Sequence, residues 1–114
     1  MRIRASDTIL EVGCGHGVAA DLICRQLTSG RLVAIDRSPA MIAAAVRRNA
    51  SHIKAGLATF HLAAFETFDP GDLRFDIVLA VRVGLFHRDP GRARRLVSRW
   101  LKPGGRLVAV YDEP

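Results

Sequence analysis

Ile9-Leu10-Glu11-Val12-Gly13-Cys14-Gly15-His16-Gly17 is the stretch from which the rest of the chain is read. An apolar run meets three glycines, and a helix-like segment, Val18 to Thr28, follows at once. A strand that turns abruptly into a helix needs residues without a Cβ, so that the backbone can bend tightly and a ligand can come close. The helix start then presents unpaired N–H groups and a partial positive charge to that ligand. A small-molecule site is therefore expected in the first turn of the fold.

The glycine spacing narrows the ligand. A dinucleotide fingerprint runs G-x-G-x-x-G. Here Gly13, Gly15 and Gly17 give G-x-G-x-G, and the third dinucleotide glycine would fall on Val18. Glu11 stands two residues before the first glycine. Beside a pyrophosphate it would meet like charge in a poorly solvated cleft. It suits instead a ligand that carries an ammonium and a sulfonium as well as a carboxylate, such as S-adenosylmethionine.

Outward from this stretch, Thr8 to Val12 reads as a buried strand. Val18, Leu22, Ile23 and Leu27 recur at helical spacing, with Gly30 as the stop. Arg31 to Ile35 is the second strand, ending at Asp36. Ser38 and Pro39 read as the N-cap and first position of a helix through Met41, Ile42, Ala45 and Val46 that closes before Gly56. Ala58 to Phe65 reads as the third strand, with Phe60, Leu62 and Ala64 on one face. Past Asp69-Pro70-Gly71-Asp72, Phe75 to Val81 is the fourth. Asp89-Pro90 opens a helix with Leu96, Val97, Trp100 and Leu101 facing inward and Arg92, Arg95 and Arg99 outward. Lys102-Pro103-Gly104-Gly105 ends it, and Arg106 to Tyr111 is the fifth strand.

Strands alternating with helices predict an α/β fold: a Rossmann-like, doubly wound parallel sheet covered on both faces. Right-handed crossovers and a single switch point give the strand order 3-2-1-4-5. The ligand then belongs at the carboxyl ends of the strands, over the first strand beside the fourth.

Composition sets the broad class. The 114 residues are 49% hydrophobic and 25% charged, enough for a single globular domain. No apolar run reaches the roughly 18 residues of a membrane span. Met1-Arg2-Ile3-Arg4 leads almost directly into the first strand, which reads as leaving no room for a signal peptide. Cys14 and Cys24 form neither a CxxC nor a cluster with histidines, so no metal site and no disulfide framework is expected, and the compartment reads as cytoplasmic. The formal charge is +6. With only five Phe, one Tyr and one Trp, and no RNA-binding sequence, a solvated arginine-rich surface is favoured over a nucleic-acid partner.

Five pieces together resemble the class I S-adenosylmethionine-dependent methyltransferases, and most closely their small-molecule group, which includes the ubiquinone and menaquinone biosynthesis enzymes. They are Ile9 to Gly17, Ala34-Ile35-Asp36-Arg37-Ser38-Pro39-Ala40-Met41, Phe75-Asp76-Ile77-Val78-Leu79, Leu85-Phe86-His87 before Asp89-Pro90, and Leu101-Lys102-Pro103-Gly104-Gly105. The resemblance runs from about residue 8 to 110 and implies that residues 1–114 form one S-adenosylmethionine-binding domain. It implies that Gly13, Cys14, Gly15 and Gly17 wrap the methionine end of the cofactor while Glu11 holds its ammonium. Asp36, 19 residues after Gly17, would accept from both ribose hydroxyls. Arg37 and Met41 would flank the adenine, and the backbone of Ala64 and Phe65 would meet its edge.

Two departures accompany the resemblance. Many relatives carry an aspartate where Ala64 stands, so one hydrogen bond to the adenine amino group is either missing or supplied by Glu66. Family members also have a helical segment before the first strand and two further strands after the fifth. Without those last two strands the chain reads as a minimal version or a piece of a longer protein, with much of the acceptor half missing. The bare strand from Arg106 to Tyr111 is then expected to pair with a second copy or a partner. Otherwise it stays monomeric, guarded by Arg106 and Asp112-Glu113-Pro114.

The implied reaction is an in-line methyl transfer to a small-molecule acceptor, in which the protein aligns the acceptor and excludes water. His16, Arg82, His87 and Asp112 are the candidates near the strand ends, each with a packing or capping alternative. Arg82 could orient an anionic acceptor. No [Asn/Asp]-Pro-Pro-aromatic signature follows the fourth strand, where Ala80-Val81-Arg82-Val83-Gly84 stands, which weakens methylation of DNA amino groups. The alternatives are a cofactor-binding module silent on its own and a basic nucleic-acid binder without chemistry.

Overall fold

The computed structural model describes residues 1–110, and five strands alternate with helices along them. In chain order these are β1 (Thr8–Val12), α1 (Val18–Cys24), β2 (Arg31–Asp36), α2 (Pro39–Arg48), α3 (Ala50–Lys54), β3 (Ala58–Leu62), a 3-10 turn (Phe65–Thr67), β4 (Phe75–Val81), α4 (Leu85–Arg88), α5 (Pro90–Trp100) and β5 (Leu101–Val110). Every pairing is parallel and the sheet order is β3-β2-β1-β4-β5, the expected topology. Because the chain winds away from β1 in one direction and from β4 in the other, a crevice opens above the carboxyl ends of these two strands.

Alternation along each central strand feeds two cores. Ile9, Leu32, Ala34, Ile77 and Leu79 share one core with Ala20 and Ile23 of α1 and Ala45 of α2. Leu10, Val33, Ile35, Val78 and Ala80 share the other with Phe86 of α4 and Val97 and Trp100 of α5. A large apolar side chain buried in this way contributes about 1.5–3 kcal/mol. The long helix α5 buries Ala93, Val97 and Trp100 and leaves its arginines wet, as its pattern required.

Several boundaries differ from the sequence reading, each for a local reason. Helix α1 stops at Cys24 and not near Thr28, because Gln26 and Leu27 donate to carbonyls three residues back and bury Leu27 in a turn. The second helix breaks at Asn49, whose buried side-chain amide donates to Ala45 O (2.9 Å) and Gly17 O (3.0 Å). Such a side chain competes with the helix ladder and ends it. Strand β3 ends at Leu62, not Phe65, because its partner β2 ends opposite, at Asp36. Leu62 is 57% exposed and does not share a buried face with Phe60. Phe65 instead packs its ring 5.4 Å from those of Phe86 and Trp100. Residues 85–88 form a short helix, α4, between the fourth strand and the helix opened by Asp89-Pro90, where the sequence reading assigned no element. Strand pairing starts at Leu101 opposite Phe75 and resumes at Arg106 opposite Ile77, so Lys102–Gly105 is a bulge within β5 and not a linker before it. Tyr111, Asp112, Glu113 and Pro114 lie outside the described residues. Among the described residues, no helix is long and apolar enough to cross a membrane.

Candidate functional site

The glycine loop is tied down by its own backbone. Gly13 N–H and Cys14 N–H both donate to Ile35 O at 2.9 and 3.1 Å, which fastens the end of β1 to β2. Gly13 has φ +83°, and a Cβ there would stand 2.4 Å from Val81 O at the end of β4. No other residue satisfies both the conformation and the contact. Gly15 has φ +53° and, in contrast, nothing within 4 Å of a Cβ position, so its face is open. Gly17 caps α1 and is buried against Asn49 and Ala45.

A cavity of about 640 Å³ opens at this loop. It is lined from the β1 side by Glu11, Gly13, Cys14 and Gly15, and from the β2 side by Asp36, Arg37 and Met41. Ala64, Phe65 and Glu66 close it beyond β3. The structure thus brings together nine of the ten residues expected to hold a cofactor. Gly17 is not among the lining residues, its place being the packing of α1 against α2. Of the four catalytic candidates, His16 and Arg82 line the cavity, His87, exposed on α4, does not, and Asp112 lies outside the described residues.

The β1–β2 wall carries the carboxyl groups of Glu11 and Asp36. Glu11 is 1% exposed and its Oε1 has no hydrogen-bond partner. Burial, with the charge of Asp36 in second place, pushes its carboxyl up to about 8. Burial and then the charges of Glu11 and Asp36 push the Cys14 thiol up to about 12, so it stays a neutral thiol. The two oxygens of Asp36 are oriented by backbone donors: Oδ2 accepts from Gly15 N–H (3.0 Å) and Oδ1 from Ser38 N–H (2.9 Å). Each oxygen keeps a lone pair for a ligand hydroxyl. Ser38 in turn caps α2 by accepting from Met41 N–H, as its sequence position predicted.

The β4 wall differs. Arg82 carries φ +54°, and its N–H donates to Val110 O at 2.9 Å. Val83, Gly84, Leu85 and Arg88 continue the wall. Val18 and Leu22 of α1 also line the cavity while 52% and 57% exposed. Their helical spacing suggested core packing; they face the cavity instead. Sequence reasoning did not single out Arg88 or Asn49. The signal for Arg88 is its i+4 spacing from Gly84, legible only once α4 is known to be a helix. Among the described residues, no three His, Cys, Asp or Glu side chains cluster as metal ligands.

Residues 9–105 match the model of a family described as methyltransferase domain. A ubiquinone biosynthesis O-methyltransferase of Alkalilimnicola ehrlichii is 31% identical over 100 residues, 88% of this chain and 39% of that protein. The chain spans about a quarter to two-fifths of the length of the curated relatives it matches. Among solved structures, an S-adenosylmethionine-dependent methyltransferase of Geobacter sulfurreducens in complex with S-adenosyl-L-homocysteine superposes with TM-score 0.80 at 21% identity, over 95% of this chain and 43% of that one. The [4+2]-cyclase SpnF superposes with TM-score 0.79 at 27% identity, over 94% and 39%.

Proposed function

The chain belongs to the methyltransferase domain family, and from that premise we propose that it binds S-adenosylmethionine in the cavity and transfers its methyl group to a small-molecule acceptor. The observation that carries this reading is the pairing of Asp36, held by two backbone donors at the end of β2, with the buried, unpartnered Glu11. An orphaned buried carboxylate oxygen needs a donor or a cation, and the ammonium of the cofactor is both. Asp36 fits a pair of ribose hydroxyls, and the open face of Gly15 leaves room for the chain between them. Ala64 offers no side-chain acceptor to the adenine, while Glu66, on the same wall, does.

When bound, the cofactor supplies an electrophilic methyl group on a sulfonium. The protein's share is to orient it, exclude water and align the acceptor. His16 on the cavity wall is the candidate for taking the acceptor's proton, and Arg82 for orienting the acceptor. A silent cofactor-binding module draws no support from the comparisons. SpnF, a cyclase by name, is the reason to measure turnover as well as binding. On the same reading, residues 106–110 of β5 are an edge for a second copy or a partner, since among the described residues β5 pairs only with β4.

Calorimetric titration with S-adenosylhomocysteine, S-adenosylmethionine and NAD tests the cofactor. Binding of the first two and not the third is expected. Micromolar NAD binding with no response to S-adenosylhomocysteine would overturn the reading.

A further inference from the structure

We propose that Asn49, which does not line the cavity, is a positioning residue for the cofactor: its side-chain amide sets where the far end of the glycine loop stands. The proposal rests on the cofactor reading given above. Asn49 is fully buried at the break between α2 and α3. Its Nδ2 spends one hydrogen on Gly17 O at 3.0 Å and the other on Ala45 O at 2.9 Å. Neither carbonyl depends on it. Gly17 O already accepts from Asp21 N–H at 3.1 Å, and Ala45 O from the backbone N–H of Asn49 at 3.0 Å. The amide also leaves its own Oδ1 buried without a partner among the described residues. An apolar side chain of the same shape would fill this space without that cost. What the amide adds is a fixed distance between the N-cap of α1 and the last turn of α2.

Gly17 is shaped to receive it. It has φ +86°, and a Cβ there would stand 2.5 Å from the Asn49 Nδ2, so only a glycine lets the backbone lie against the amide. The loop is thereby fastened at both ends. Ile35 O holds Gly13 and Cys14 at one, and Asn49 holds Gly17 at the other. Between them Gly17 N–H donates to Cys14 O at 3.0 Å, and Gly15 N–H to Asp36 Oδ2 at 3.0 Å. A displacement of Gly17 is therefore passed to Cys14 and Gly15, which line the cavity. On the cofactor reading these residues meet the amino-acid end of the ligand, whereas Asp36 meets the ribose.

The test compares S-adenosylhomocysteine with 5′-methylthioadenosine, which keeps the adenine and ribose but lacks the amino-acid arm. Both are titrated by calorimetry into the full chain and into Asn49→Leu. The variant should bind S-adenosylhomocysteine about tenfold more weakly and methylthioadenosine within about twofold of the parent. Val97→Ala, a cavity in the other core, lowers stability and should change neither affinity. In the empty protein, the Gly17 and Asp21 amides of Asn49→Leu should exchange hydrogen about tenfold faster, while Val78 in β4 keeps its rate. Should Asn49→Leu lose its circular dichroism spectrum, Asn49→Ala removes the same donors without bulk and is read in the same way. If methylthioadenosine binds the parent too weakly to titrate, the exchange rates decide. Equal weakening of both ligands, undiminished S-adenosylhomocysteine binding, or parental exchange at Gly17 and Asp21 overturns the positioning role alone. Failure of the parent to take up S-adenosylhomocysteine overturns the cofactor reading and this one with it.

Discussion

The two walls of the cavity are made from different parts of the chain's chemistry. On the β1–β2 wall the working groups are positioned by backbone: Gly13 and Cys14 hang from Ile35 O, and Asp36 is clamped by the N–H groups of Gly15 and Ser38. On the β4–α4 wall they are long exposed side chains: Arg82 in the loop after β4 and Arg88 at the end of the four-residue helix α4. Backbone geometry is rigid and buried, so it suits the common, invariant part of a reaction. Long side chains on a loop and a short helix suit the part that differs from one acceptor to the next. Gly13 joins the walls, since its missing Cβ lets Val81 O come within 2.4 Å of that position.

The largest test strikes that joint. Gly13→Ala imposes a left-handed conformation and a clash on Val81 O, and should cost about 4 kcal/mol of unfolding free energy by urea titration. Gly15→Ala, whose Cβ would meet nothing, should cost about 1 kcal/mol while still obstructing the ligand. Equal losses would break the distinction between a glycine that packs and one that makes room.

Next in size is the buried carboxylate. The Glu11 pKa is raised from 4.5 to about 8 by burial. A group raised in the folded state lends stability below its unfolded value and withdraws it as pH climbs through the folded one, so the empty protein should lose stability between about pH 4.5 and 8. Glu11→Gln should abolish that slope, with a gain on the order of 3 kcal/mol at pH 8.5 and none at pH 4. A cationic ligand prefers the ionised form, so cofactor affinity in the parent should rise from pH 6 to about 8 and then level off. Thermal unfolding and calorimetry across pH measure both, and a flat parent profile would count against a cation at Glu11.

The last test falls on the β1–β2 wall alone. Asp36→Ala should weaken S-adenosylhomocysteine binding by about 1.5–3 kcal/mol, the worth of hydrogen bonds to a charged group, while the fold holds. Calorimetry beside a circular dichroism spectrum measures it, and undiminished binding would remove Asp36 from the site.

The legibility of the two walls follows the same division. Asp36, Glu11, Gly13 and Gly15 could be placed at the cavity from residues 9–41 because each lies within a few positions of a strand end, where spacing along the chain is spacing in the molecule. The sheet order was readable for the same reason, as alternation and short connections leave one right-handed winding. Arg88 was not readable, because its place depends on α4 forming after Gly84. Nor was Asn49, whose bond to Gly17 spans 32 residues. The outward turn of Val18 and Leu22 also escaped, since a helical stripe is the same whether it faces a core or a cavity.

Local pattern, then, determined the fold class, the strand order and the acidic wall, because periodicity and glycine spacing act through nearest neighbours in the backbone. Tertiary packing alone decided that Glu11 would be sealed without a partner and that α1 would show an aliphatic face to the cavity. It also decided that Arg82 and Arg88, from the loop and the short helix after β4, would line the same cavity as the carboxyl groups of Glu11, Asp36 and Glu66. Those outcomes depend on distances between segments remote in the chain, which no local spacing encodes.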